Sequence, residues 1–78
     1  MSLQSLIETV ARALVDLPEQ VQVRPVNGDN CVVLELRVAK EDLGKIIGRE
    51  GRTAQAMRTV LTAASSRIGH RAHLDIID

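Results

Sequence analysis

The sequence predicts an α+β fold of element order α-β-β-α-α-β, with three helices on one face of a three-stranded mixed sheet. Three observations carry that prediction. Apolar residues recur at helical spacing early in the chain, switch to alternation over two central runs, and return to helical spacing before a last alternating run. Asn27-Gly28-Asp29-Asn30 separates the first two alternating runs and is strong reversing chemistry, so those strands pair antiparallel. Two helical segments precede the last run, which therefore returns parallel to the central strand by a right-handed crossover.

Ser2 caps a first helix in which Leu3, Leu6, Ile7, Val10 and Leu14 form the buried stripe while Glu8, Arg12 and Asp16 face water, and Pro18 ends it. Val21 and Val23 alternate with Gln22 and Arg24 as a strand, and Pro25, lacking an amide hydrogen, assigns that strand to a sheet edge. Cys31 to Val38 is the longest strand candidate and takes the centre, with Val32, Leu34, Leu36 and Val38 on one face. Glu41 and Asp42 favour the first turn of a short helix through its dipole, and Leu43, Ile46 and Ile47 supply its buried stripe. Ala54, Met57, Val60, Leu61, Ala64 and Ile68 define the apolar side of a long helix that Gly69 ends. In the last strand Ala72, Leu74 and Ile76 alternate with Arg71, His73 and Asp75. The open face of the sheet, carrying Arg24, Glu35, Arg37, Arg71, His73 and Asp75, is expected to pair opposite charges in water.

With 78 residues the chain is one domain, 1–78, of a size that buries only ~60% of its unfolded surface. It contains no Phe, Tyr or Trp, so its core is aliphatic and any nucleic-acid site works without aromatic stacking. The formal net charge is zero, far from the balance of a protein that holds long nucleic acid by charge alone. The charges are unevenly placed: residues 40–58 carry Lys40, Lys45, Arg49, Arg52 and Arg58 against Glu41, Asp42 and Glu50. Cys31 is the single cysteine, which excludes an internal disulfide and fits a reducing compartment. No secretory leader and no apolar run of bilayer-spanning length is read, so a cytoplasmic protein is expected, with no membrane partner.

The stretch Lys45-Ile46-Ile47-Gly48-Arg49-Glu50-Gly51-Arg52 carries the functional expectation. Gly48 fits a left-handed helix stop, and Gly51 stands where the next helix begins. The amides from Arg49 to Thr53 are then first-turn donors without intrahelical partners at the positive end of a dipole, a setting that attracts anions. Lys45, Arg49 and Arg52 surround it with positive charge against Glu50 alone. On the loop alone, a phosphate clamp and a plain helix-turn-helix corner weigh about equally.

Ile47-Gly48-Arg49-Glu50-Gly51, between two helices at this point of this element order, resembles the Ile-Gly-x-x-Gly signature of K-homology (KH) domains, in their type II arrangement. The run from Glu41 to Arg58 and the opening Leu-Ile-x-x-Val-Ala-x-x-Leu-Val pattern are similar to small bacterial single-KH proteins of the KhpA group. The resemblance covers essentially the whole chain. It implies a loop that clamps the backbone of about four nucleotides of single-stranded RNA, as is known of KH domains generally, with the bases in an aliphatic groove. It assigns phosphate contacts to the backbone of Gly48, Arg49, Glu50 and Gly51, charge to Lys45 and Arg52, and the apolar floor to Ile46, Ile47 and Ala54, each of which equally fits plain core. It further implies a post-transcriptional regulator or RNA chaperone that forms a homodimer or pairs with the larger KH protein KhpB. Two residues depart from the general signature: Ala54 stands where a large aliphatic is common, and Glu50 brings a carboxylate to the loop.

The alternatives are a helix-turn-helix DNA-binding protein and a KH-like dimerisation or assembly module without RNA binding. Against the first, the outer face of the long helix offers Gln55 and Arg58 and then mostly Thr and Ser; in favour of the second stand the neutral charge and Glu50. An enzyme is not expected. No Walker lysine follows the glycines, no Gly-x-Ser-x-Gly elbow occurs, and Cys31 has no evident base. His70 and His73, three apart on a strand, point to opposite faces and make no metal pair, so no cofactor, metal or small-molecule substrate is anticipated.

Overall fold

The computed structural model describes residues 2–78. Helix α1 spans Leu3–Leu14, strands β1 and β2 span Gln22–Gly28 and Cys31–Arg37, helices α2 and α3 span Leu43–Ile47 and Arg52–Arg67, and strand β3 spans Arg71–Ile77. Single 3-10 turns at Pro18–Gln20, Lys40–Asp42 and Arg49–Gly51 complete the order. The sheet runs β1-β2-β3, antiparallel between the first pair and parallel between the second, so β2 is central and Pro25 lies on an edge strand. This is the α+β arrangement of a type II KH fold.

Each helix sends apolar side chains into one aliphatic core: Ile7 and Ala11 from α1, Ile46 from α2, and Met57 and Leu61 from α3 meet Val23, Leu34, Leu36, Ala72 and Leu74 of the sheet. Ser2 caps α1 with a reciprocal bond, its hydroxyl accepting from the Ser5 amide at 3.0 Å while its own amide donates to the Ser5 hydroxyl at 3.0 Å. On the open face Arg24, Glu35 and Asp75 stand in one cross-strand row. No side-chain ion pair forms there among the described residues, contrary to the expected pairing.

Helix α1 stops at Leu14 rather than continuing toward Pro18, and Val15 is already extended. The reason lies across the fold. The buried Asp42 carboxylate accepts from the amides of Asp16 at 3.2 Å and Leu17 at 2.9 Å, so the segment after Leu14 satisfies its donors outside the helical ladder. On α3 the buried positions are Ala54, Met57, Leu61 and Ser65, whereas Val60, and Ile68 just beyond the helix end, are exposed. Val60 turns instead toward α1, where it lines a shallow hollow with Leu14.

Candidate nucleic-acid interface

Helix α2 has five residues, too few to persist alone, and is held by the fully buried Ile46 and by its connections at both ends. At its C-terminal end the Gly48 amide closes the last turn by donating to the Gly44 carbonyl at 2.8 Å. Gly48 then adopts φ 76°, ψ 172°, an extended conformation with positive φ that is essentially confined to glycine and differs from the left-handed stop expected. A Cβ there would overlap the Thr53 side chain and lie 2.9 Å from the Thr53 nitrogen. The left-handed residues are the next pair, Glu50 at φ 58°, ψ 25° and Gly51 at φ 73°, ψ 13°.

This local geometry redistributes the donors. The Gly51 amide donates to the Gly48 carbonyl at 3.1 Å, and the Arg52 amide donates to the Arg49 carbonyl, because two successive left-handed residues curl the loop onto itself. Those two amides are therefore occupied, where unpartnered donors were expected. No helical turn spans Gly48, and among the described residues the amides of Arg49 and Glu50 donate to no protein acceptor. The open donors thus lie within the loop, one step before the first turn of α3.

Beside the loop, Leu43 and Ile47 from α2, Gly51, Ala54 and Arg58 at the start of and along α3, Ile76 from the edge strand β3, and Asp78 line a groove of about 280 Å³. Spacings of three and four put the helical residues on facing stripes, and the parallel crossover brings β3 alongside α3. Of the three residues expected as apolar floor, Ala54 is buried beneath the groove, Ile47 is 41% exposed along it, and Ile46 is fully buried in the core. Leu43, Arg58 and Ile76 were missed as groove residues. The signal that could have found them is the edge position of β3, which leaves Ile76 open on the side facing α3.

The cations around the loop differ in how far they are already engaged. Lys45 Nζ lies 3.0 Å from an Asp16 carboxylate oxygen and 3.3 Å from one of Asp42, so its charge is shared with two acids on the side of α1. Both raise its pKa, the Asp16 bond most, against partial desolvation. Arg52 reaches Glu50 at 3.4 Å in a largely exposed pair that solvent screens. Arg49 makes no ion pair among the described residues. Arg58 Nε donates to the Leu74 carbonyl at 3.4 Å, which leans its guanidinium along β3.

Asp42 was expected to serve the helix dipole and is instead a structural acceptor. Burial, the largest single influence, pushes its carboxyl up, but the two amide bonds and Lys45 together outweigh it and leave the pKa below the ordinary value. One carboxylate thereby ties the end of α1 to the start of α2. Among the described residues no group of histidine, cysteine and acidic side chains is arranged to hold a metal ion.

The family profile described as "KhpA/KhpB, KH domain" matches residues 4–76. The chain is similar to the RNA-binding protein KhpA of Clostridium acetobutylicum, 48% identical over 75 residues that cover 96% of this chain and all of the relative. It is similar to that of Aquifex aeolicus, at 44% over 77 residues covering 99% and 98%. The KhpA of Chlamydia trachomatis is 42% identical over 76 residues, 97% of each. Among solved structures, Aquifex aeolicus Era bound to GDP and aluminium fluoride superposes with a TM-score of 0.65 at 19% identity. That match covers 95% of this chain and 29% of Era, and it concerns the fold alone.

Proposed function

The chain belongs to the KhpA/KhpB KH-domain family, and from that premise we propose that it binds single-stranded RNA, as a post-transcriptional regulator or RNA chaperone in the cytoplasm. The observation that carries this reading is the pair of amides at Arg49 and Glu50 that have no acceptor among the described residues, set beside an aliphatic groove. Two adjacent N–H groups in a tight loop form a concavity for a phosphate oxygen. The guanidinium of Arg49 adds charge, and Arg52 joins it by exchanging Glu50 for phosphate. Ile47, Gly51 and Ala54, with Leu43 and Ile76, receive the bases without aromatic stacking. Ile46 anchors α2 from beneath, and Lys45, bound to two carboxylates, orients the helix rather than meeting RNA. The function is binding, not catalysis, as the relatives' description as RNA-binding proteins supports.

With few phosphates neutralised, affinity is of order micromolar. It falls with salt at a log-log slope of about −0.7 per phosphate. The test combines Arg49→Asp with Glu50→Asp, which sets two carboxylates against the phosphate, keeps both glycines, and puts at position 50 a residue tolerant of the left-handed conformation. Fluorescence titration with single-stranded RNA is expected to show binding lost while circular dichroism is unchanged. Unaltered RNA affinity in the folded double variant refutes the clamp.

Pairing, with a second copy or with the larger KH protein KhpB, is the further part of the proposal. Val10, Leu14, Ala56, Met57 and Val60 line an almost wholly apolar hollow of about 230 Å³ between α1 and α3, on the other side of α3 from the groove. Leu14 and Val60 are 39% and 47% exposed there, which supports this face as the contact. No helix among the described residues is long and apolar enough to cross a membrane.

A further inference from the structure

The groove does not end at the residues that flank the loop. Leu43 and Asp78 also line a second and larger cavity, of about 730 Å³, at the end of the sheet where β2 runs into α2. Its other walls are Gln20, Gln22, Arg37, Val38, Lys40 and Ile77. Gln22, Arg37 and Ile77 form the terminal cross-strand row, and Lys40 opens the turn that leads from β2 into α2. The two hollows share Leu43 and Asp78 as walls, and the second opens around the end of the sheet, where Gln22 and Arg37 stand on the face away from the helices.

The chemistry of this end suits a nucleotide chain. Arg37 and Lys40 are exposed, and neither makes an ion pair among the described residues. They differ in this from Lys45 and Arg52, whose charges are met by carboxylates. Asp78 is the one acidic residue among the described residues of the lining, against Arg37 and Lys40. Gln20 and Gln22 bring two exposed amide side chains, each offering donors and an acceptor, the equipment that reads a base edge.

We infer that this cavity is a second RNA subsite, which takes the nucleotides that emerge from the groove at Leu43. Arg37 and Lys40 meet their phosphates, and Gln20 and Gln22 meet their bases. The inference rests on the proposed clamp, since only a strand held at the loop and threaded through the groove reaches the cavity in register. It extends the footprint of one domain beyond the groove and adds two charge contacts that the loop cannot supply.

The experiment compares a single-stranded RNA tetramer with a hexamer of mixed sequence, for the wild-type chain and for Arg37→Gln with Lys40→Gln, by fluorescence titration over a salt series. Three binding registers give the hexamer about a threefold statistical advantage. The subsite is expected to raise that to tenfold or more, equivalent to at least about 1.4 kcal/mol. It steepens the hexamer's log-log salt slope by about 1.4 relative to the tetramer, two contacts at ~0.7 each. In the double variant the tetramer binds as it does to wild type, and the hexamer retains only the statistical factor. A wild-type hexamer no tighter than the statistical expectation, or an undiminished hexamer advantage in the variant, overturns the subsite and leaves the clamp standing. If wild type binds neither RNA, the clamp has failed and the subsite with it. Circular dichroism of the variant guards the comparison, and Gln20→Ala with Gln22→Ala gives an independent variant that lowers hexamer affinity while keeping both cations.

Discussion

Replacing Gly48 by alanine tests whether the loop is a built conformation. Two costs act together in the structure. Alanine at φ 76°, ψ 172° occupies a region that side-chain-bearing residues avoid, at about 1–3 kcal/mol. Its Cβ also meets Thr53, 2.7 Å from that residue's Cβ and 2.9 Å from its nitrogen, an overpacking worth about 1–3 kcal/mol. The backbone nitrogen cannot move without disturbing the first turn of α3, so rotamer changes relieve only part of the strain. The sum, roughly 2–6 kcal/mol, is a large fraction of the ~5–15 kcal/mol that holds a folded domain. At ~4–8 °C per kcal/mol for a chain of this size, the melting temperature falls by ~10 °C or more. Gly51→Ala is the control, since nothing lies within 4 Å of its added Cβ and only the left-handed backbone cost of about 1–2 kcal/mol remains. Thr53→Ala added to Gly48→Ala recovers part of the loss and not all of it. Thermal melts by far-ultraviolet circular dichroism read all four proteins. A Gly48→Ala protein that melts with wild type, or below which Gly51→Ala falls, refutes the reasoning.

The adjacent isoleucines separate stability from binding: Ile46→Ala costs about 2–5 kcal/mol by urea titration because Ile46 is fully buried, whereas the half-exposed Ile47 loses little stability on the same change and weakens RNA affinity severalfold. Asp42 sets an acid dependence. Its folded pKa lies below the ordinary 3.8, so its contribution is complete above that pH and is lost as pH falls through the depressed value; Asp42→Asn melts lower at neutral pH and shows a shallower acid decline. Lys45 has the opposite sign: its pKa is raised above 10.5, so its contribution is present below that pH and is lost on going higher, and Lys45→Met flattens this alkaline limb while leaving the salt slope of RNA binding unchanged. Val60→Glu, at the apolar hollow between α1 and α3, is expected to shift sedimentation toward a single chain without altering the secondary structure.

The fold was legible because its signals are periodic and local. Val21 and Val23 before Asn27-Gly28, and Leu34 and Leu36 after it, announce a hairpin by alternation alone, and Pro25 marks its edge. The loop was legible as a place and less so as a geometry. Its glycine spacing is visible, but which of Gly48, Glu50 and Gly51 is left-handed depends on how α3 packs against the end of α2, and so does the choice of amides that stay open. Asp42 was misread for a similar reason: its partners at Asp16 and Leu17 lie some 25 residues away, and only the packed chain brings them together. The same holds for Lys45, whose positive charge is plain in the sequence while the two acids that engage it are not. Leu43 and Ile76 look like core residues in any periodic pattern, and only the edge position of β3 turns them into groove walls.

The most direct measurement is a titration of the isotopically labelled chain with a mixed-sequence single-stranded RNA, followed by amide resonances in nuclear magnetic resonance spectra. The largest shifts are expected at the N–H groups of Arg49 and Glu50, with smaller ones at Gly51 and Arg52, whose hydrogens are already bonded within the loop. Resonances of Arg49 and Glu50 that stay in place at saturation, while another surface of the protein responds, would contradict the clamp.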